Sequence, residues 1–159
     1  MATMASTNSG SKSTTNPLMA SIYAGALTGI LAAVFAYGFS AQNYILIIIG
    51  LLLIGAGPVL GYQLAAGRGL NVVAIIGGVI GHILLFIGWP ILVGALSKGQ
   101  NIGKLLLGSI LGIVLAAVVF MILAGPVIGQ SGGGTGLMTA LFFSIWGGTC
   151  GAFMAAGQR

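Results

Sequence analysis

The sequence predicts an all-α integral membrane protein, built as a bundle of five transmembrane helices. Of the 159 residues, 58% are hydrophobic and only 3% are charged, whereas about a quarter of the residues in soluble domains are charged. The apolar stretches are continuous rather than alternating, and each is close to the roughly 20 residues that a helix needs to cross a bilayer. Because lipid cannot satisfy exposed backbone groups, these stretches must be helical.

The chain divides into a polar tail and one membrane domain. Residues 1–16 are rich in Ser, Thr and Asn, and such a composition cannot bury enough apolar surface to order itself. Residues 17–159 form a single polytopic domain with predicted spans at 18–39, 44–66, 71–96, 105–128 and 136–157. The polar tail precedes a long apolar span, which favours a retained signal anchor over a cleaved signal peptide.

The span boundaries follow from local chemistry. Pro17 suits the first turn of a helix, and the sequence Gly67-Arg68-Gly69 after the second span combines a glycine cap with a charge that needs water. Trp89, late in the third span, is expected near a headgroup layer. The fifth span is the least apolar, so four crossings plus a re-entrant fifth segment is the alternative.

An internal parallel repeat is a further expectation. Residues 56–61 (AGPVLG) match residues 124–129 (AGPVIG), and because two helices separate the copies, the repeated units would share one orientation. Shared packing constraints are the alternative explanation. Pro58 and Pro126, inside these motifs, are predicted to bend their helices; a hinge or a broken-helix binding site is the sharper alternative.

Glycine is the main compositional oddity, with 29 residues. Small residues four positions apart let helices approach closely in lipid. Composition alone would produce about five such pairs, so the argument rests on their distribution, at least one on every span. The predicted packing glycines are Gly25/Gly29, Gly57/Gly61, Gly77/Gly81, Gly108/Gly112, Gly125/Gly129 and Gly147/Gly151. We call each such pair a glycine seam. We expect more seams than one chain can use for contacts between its own helices, which predicts self-association.

The absence of Asp and Glu excludes whole mechanisms. A carboxylate base, paired glycosidase carboxylates, a carboxylate cage for calcium or magnesium and a Ser-His-Asp triad all need acidic residues. One His and one Cys cannot supply the usual three or four metal ligands. We therefore predict no metal, no cofactor and no enzymatic activity, because no nucleophile has an activating partner.

His82 is the single histidine and lies near the middle of the third span. An ionisable group inside a membrane is costly and therefore suggests a function. One interpretation is a packed imidazole that bonds to the next helix; the other is a polar group on a solute pathway. Cys150 is expected to be a small buried apolar residue.

The net charge of +5 comes from Lys12, Arg68, Lys98, Lys104 and Arg159. These cations are too dispersed for a nucleic-acid groove and indicate contacts with anionic lipid headgroups. Five crossings would put two of them on one side and three on the other, so the positive-inside rule does not decide the orientation.

Two functions remain. The leading hypothesis is a non-catalytic structural or assembly subunit that packs through its glycine seams, either with copies of itself in a lipid-rich array, such as a pilus-like or virion-like shell, or within a larger membrane complex. The alternative is a small pore or carrier for neutral or anionic solutes, with His82 on the path. The sequence does not identify the membrane.

Overall fold

In a computed structural model of the protein, the described part of the chain folds into seven helices. That part comprises residues 15–67, 69–128 and 134–158, without the side chains of residues 85, 124–128 and 134. The helices are α1 (Pro17–Ser40), α2 (Tyr44–Ile54), α3 (Gly57–Ala65), α4 (Val72–Ile83), α5 (Leu85–Leu96), α6 (Ile102–Ile128) and α7 (Gly134–Ala156).

The membrane prediction is confirmed by the length and composition of these helices. Three of them, α1, α6 and α7, are long and apolar enough to cross a bilayer. The pair α2 and α3 passes the same test together, with a bend of 51° at the break between them. The described residues therefore hold three to four candidate spans.

The third predicted span is not one helix but two, which fold back on each other after a turn at Leu84. A Cβ atom on Gly77 would lie 2.8 Å from Leu96 Cδ1, and one on Gly81 would lie 2.7 Å from Trp89 Cα. The two arms, α4 and α5, have 12 residues each, about 18 Å at the helical rise, which is too short for the roughly 30 Å hydrocarbon core. We call α4 and α5 together the hairpin; it begins and ends at the same end of the bundle.

The hairpin corrects three predictions. Five continuous crossings are wrong, because residues 71–96 turn back at Leu84. The segment that turns back is the third and not the fifth, since α7 is an unbroken helix of 23 residues. Trp89 is 0% exposed rather than at a headgroup layer, because the turn returns the later half of the segment into the bundle.

The structure shows no internal repeat among the described residues. The first motif, 56–61, lies across the break that separates α2 from α3. The second motif begins inside α6, which continues without interruption to Ile128, and Gly129 lies outside the described residues. The two similar sequences therefore occupy different backbone surroundings.

Small residues determine how the helices pack. The α1 helix lies between α7 and the α2–α3 pair; α6 packs on α7, and the hairpin closes the bundle between α6 and the α2–α3 pair. The buried side of α1 carries a small residue at every fourth position: Ala20, Ala24, Thr28, Ala32 and Ala36. Small residues at this spacing let neighbouring helices approach closely.

Both ends of the described chain lie at one end of the bundle. Gln158 Nε2 donates to Thr15 Oγ1 at 2.8 Å, and Lys104 Nζ donates to the carbonyl oxygen of Ala156 at 2.8 Å. The polar residues Gln63, Asn71, Ser97, Lys98 and Gln100 line one pocket there. We call this end the lysine face, because it carries Lys98 and Lys104.

The hairpin makes a topological prediction. An epitope ahead of Thr15 and another after Gln158 should be accessible from the same side of the membrane, because four crossings, with the bent α2–α3 pair counted as one, and a hairpin would return the chain to its starting face. Antibody labelling of sealed and permeabilised vesicles tests this. An epitope at Gln42, in the turn at the far end of α1, is the control for the opposite side. Labelling of the two ends on opposite sides would contradict the hairpin.

The close approach of α1 and α7 makes a stability prediction. A Cβ atom on Gly151 would lie 2.6 Å from the carbonyl oxygen of Ala20, so Gly151→Ala must push the backbones apart. We expect a loss of about 1–3 kcal/mol in the free energy of unfolding in detergent micelles. Gly136→Ala in the same helix is the matched control, because its Cβ would meet Ala36 Cβ at an ordinary 3.7 Å. Equal stability of the two variants would refute this packing.

Candidate functional site

The break between α2 and α3 meets the hairpin in the interior of the bundle. Trp89 Nε1 donates to the carbonyl oxygen of Gly55 at 2.7 Å. A Cβ atom on Gly78 would lie 2.5 Å from the same oxygen, so the two backbones touch because neither residue has a side chain. A carbonyl at a helix end lacks its helical donor and cannot find one in lipid. The indole of Trp89 supplies that donor.

A second free carbonyl lies in the hairpin itself. Pro90 lies inside α5 and has no N–H, so the carbonyl of Phe86, four residues earlier, loses its helical hydrogen bond. Ser109 Oγ of α6 donates to this oxygen at 2.9 Å, and Trp146 Nε1 of α7 donates to Ser109 Oγ at 3.2 Å. This chain of hydrogen bonds ties α5, α6 and α7 together.

Five aromatic rings surround these bonds: His82, Phe86, Trp89, Phe143 and Trp146. We call them the aromatic cluster. The ring of Trp146 lies at its centre, with centroid distances of 5.4 to 6.3 Å to the other four. The contacts of Trp146 with Phe86, Trp89 and Phe143 are edge-to-face, and such pairs contribute about 0.5–1.5 kcal/mol each beyond the burial of area. The cluster therefore holds the tip of the hairpin against α7.

His82 lies in the last turn of α4, at the edge of this cluster. Its Nδ1 atom is buried and has no hydrogen-bond partner among the described residues. The side chain lines a cavity of about 320 Å³ together with Leu51, Ile83, Phe86 and Phe143. The imidazole is thus packed against aromatic rings beside an apolar cavity, and its buried Nδ1 atom is unpaired among the described residues.

The predicted packing glycines that the structure describes all contact other helices of the same chain. Gly25 lies against Gly148 of α7, and Gly57 lies against Thr28 of α1. The other packing glycines leave little room for a Cβ atom because a residue of another helix lies against them: Gly29 against Ser144, Gly61 and Gly151 against Ala24, Gly77 against Leu96, Gly81 against Trp89, Gly108 against Phe153, Gly112 against Trp146 and Gly147 against Thr28. Gly129 and the packing around Gly125 lie outside what is described. Self-association stays a prediction, but these seams are already occupied within the chain.

The predicted bends and cations have separate places. Pro58 lies in the first turn of α3, directly after the 51° bend. The Pro126 side chain is outside the described part, although the α6 backbone runs past it. Lys98 and Lys104 lie on the lysine face. The remaining predicted lipid contacts, Lys12, Arg68 and Arg159, lie outside the described residues.

Sequence reasoning missed several residues of this site. Gly55 and Phe86 carry no local signal, because their roles depend on which helix lies opposite. Pro90 offered the clearest signal. A proline in the middle of an apolar span removes one backbone bond and marks a kink or a break.

Comparisons of the chain with protein-family models, with curated proteins and with solved structures found no significant match.

The hydrogen-bond chain makes a prediction about stability. Ser109→Ala leaves the Phe86 carbonyl without a donor and the Trp146 indole without an acceptor. We expect the free energy of unfolding in micelles to fall by about 1–2 kcal/mol. The matched control is Thr139→Ala, because that hydroxyl bonds only to the Thr135 carbonyl of its own helix and is exposed; it should cost much less. Equal losses in the two variants would show that the interhelical bonds carry no special weight.

Proposed function

We propose that this chain is a small membrane carrier or pore for neutral or anionic solutes, and that the solute path passes His82. The observation that carries the proposal is the meeting of two chain interruptions beside one cavity. The break after α2 and the turn at Leu84 belong to segments that touch through Gly55 and Gly78, and a Cβ atom on Gly55 would also meet His82.

Many transporters build their solute sites from interrupted helices. Irregular backbone is tolerated at membrane depth only where protein buries it or where it lines a cavity. Transporters place substrate sites where discontinuous helices meet. The paired interruptions of this chain, with a cavity of about 320 Å³ next to them, support a role of this kind.

The cavity favours a small solute with few polar groups. Its volume lies at the lower end of the range for small-molecule sites, roughly 300–1,000 Å³. Four of its lining side chains are apolar and the fifth is His82, so His82 is the polar side chain that this lining offers to a solute. The chain contains no Asp or Glu, which excludes cation transport coupled to a membrane carboxylate. We also propose that the chain is not an enzyme, since the cavity holds no nucleophile with an activating base.

The charge distribution supports an orientation for this transporter. Lys98 and Lys104 belong to the lysine face, whereas residues 41–43 at the other end contain no Lys or Arg, nor do residues 129–133 in the sequence. Short loops rich in Lys and Arg stay on the cytoplasmic side. We therefore assign the lysine face to the cytoplasm.

Assembly with copies of itself is the competing function, and its main support has weakened. It rested on glycine seams that one chain cannot use, yet the described seam glycines contact other helices of the same chain. Native mass spectrometry in mild detergent, combined with a measurement of solute flux, separates the two functions. A monomeric protein with solute flux favours transport, and a defined oligomer without solute flux favours assembly.

Solute flux tests the proposal directly. Purified protein in proteoliposomes should accelerate the entry of water, urea, glycerol or a small anion, measured by stopped-flow light scattering. His82→Phe keeps an aromatic ring and removes the ring nitrogens, so we expect flux to fall about tenfold, as for the loss of one hydrogen bond in the path. His82→Gln retains a hydrogen-bonding group and should restore part of it.

Two controls make this experiment decisive. Thr139→Ala changes an exposed hydroxyl of α7 away from the cavity and should leave flux unchanged. Vesicles without protein set the background for every solute. Flux at background for the whole series, or wild-type flux in His82→Phe, would overturn the proposal.

A further inference from the structure

We propose that the pocket on the lysine face binds a phosphate-bearing anion, which in the membrane is the headgroup of an anionic phospholipid. The site is separate from the proposed path, because it lies where the helices begin and end, whereas His82 lies at the tip of the hairpin. The inference therefore does not depend on transport.

The pocket has walls that are fixed by the fold. Its volume is about 310 Å³. Gln63 at the end of α3 is 5% exposed, and its side chain is held at both ends by the backbone of Asn71: Asn71 N donates to Gln63 Oε1 at 3.0 Å, and Gln63 Nε2 donates to Asn71 O at 3.4 Å. These bonds join α3 to the start of the hairpin and form one wall of the pocket.

Two buried polar atoms beside this wall lack partners. Ser97 is 9% exposed, and its Oγ has no hydrogen-bond partner among the described residues. Gln100 Oε1 is buried and unpartnered in the same way. A buried polar group without a partner costs about 1–3 kcal/mol, so their presence in one pocket points to a partner from outside the chain. The hydroxyl can donate to a phosphate oxygen, and the amide oxygen can accept from a hydroxyl on the headgroup.

The positive charge at the pocket favours an anionic ligand. Lys98 lines the pocket and is exposed. The chain has no Asp or Glu, so no side chain of this protein can neutralise the ammonium. Of the described helices, three begin at the lysine face and three end there, so their dipoles offset one another and the lysines set the sign of the field.

The position of the pocket favours a lipid over a soluble ester. Val73 and Leu96 line it and are 55% and 39% exposed, so apolar surface continues from the pocket onto the outside of the hairpin. A headgroup held by Ser97 and Lys98 would leave its acyl chains against this surface. A hydroxyl-bearing anionic lipid such as phosphatidylglycerol supplies the phosphate, the headgroup hydroxyl and the chains together.

Binding of phosphatidylglycerol, measured by native mass spectrometry of the full chain in mild detergent, tests the site. We expect Lys98→Gln to weaken binding about fivefold, as for the loss of one cation near an anionic headgroup. Ser97→Ala should weaken it about tenfold through the lost bond to a charged oxygen. Because the Ser97 hydroxyl has no partner among the described residues, the same variant should unfold at the wild-type temperature or above it, which separates a ligand contact from a structural role.

Lys104→Gln is the matched control. It removes an equal charge from the same face, but its ammonium already donates to the Ala156 carbonyl and does not line the pocket. It should weaken phosphatidylglycerol binding less than twofold, and phosphatidylcholine should bind weakly to every variant. An equal loss in Lys98→Gln and Lys104→Gln, or wild-type binding in Ser97→Ala, would overturn the proposal.

Soluble glycerol 3-phosphate distinguishes the two sources of the anion. Ser97-dependent binding of the lipid alone identifies a membrane lipid as the occupant. Binding of the soluble ester with equal strength identifies the phosphate as the recognised group and keeps the site. If neither ligand shows binding that depends on Ser97, the proposal is wrong.

Discussion

Every interruption of a helix inside a membrane leaves backbone carbonyls without hydrogen-bond donors, and lipid cannot supply them. The architecture of this protein depends on the side chains that donate to two such carbonyls. The carbonyl of Gly55 is freed at the break after α2, and that of Phe86 is freed by Pro90. Each accepts a bond from a side chain of another helix, Trp89 in the first case and Ser109 in the second. The same bonds that satisfy the carbonyls hold the hairpin between its neighbours.

Close backbone contact brings these donors within reach. Gly55 and Gly78 touch without side chains, and Gly81 admits the backbone of Trp89 at the tip of the hairpin. The small residues at every fourth position of α1 do the same for α3 and α7. Van der Waals packing between small residues replaces, in lipid, the hydrophobic drive that operates in water. Packing within one chain therefore accounts for the seam glycines that the structure describes.

The hairpin also changes the side of the membrane to which the cationic side chains are assigned. Counted over five crossings, the cations would divide between two sides of the membrane. With a hairpin in place of the third crossing, Lys98 and Lys104 lie at the face that holds both described ends of the chain. Because the chain has no acidic side chains, no side chain of its own can supply the counter-ions for such a face. The proposed lipid pocket and the proposed cytoplasmic orientation both follow from this one-sided distribution.

The sequence by itself determined the all-α membrane class, the spans that became α1 and α7, the break region around Pro58 and most of the packing glycines. These features depend on local hydropathy and on residue size. The tertiary structure alone decided the course of residues 71–96, because an apolar run of that length can form one long helix or two short ones. The contact of Gly77 with Leu96 and the bond from Trp89 to Gly55 select the second form. Such contacts join residues far apart in the chain, so no local pattern encodes them.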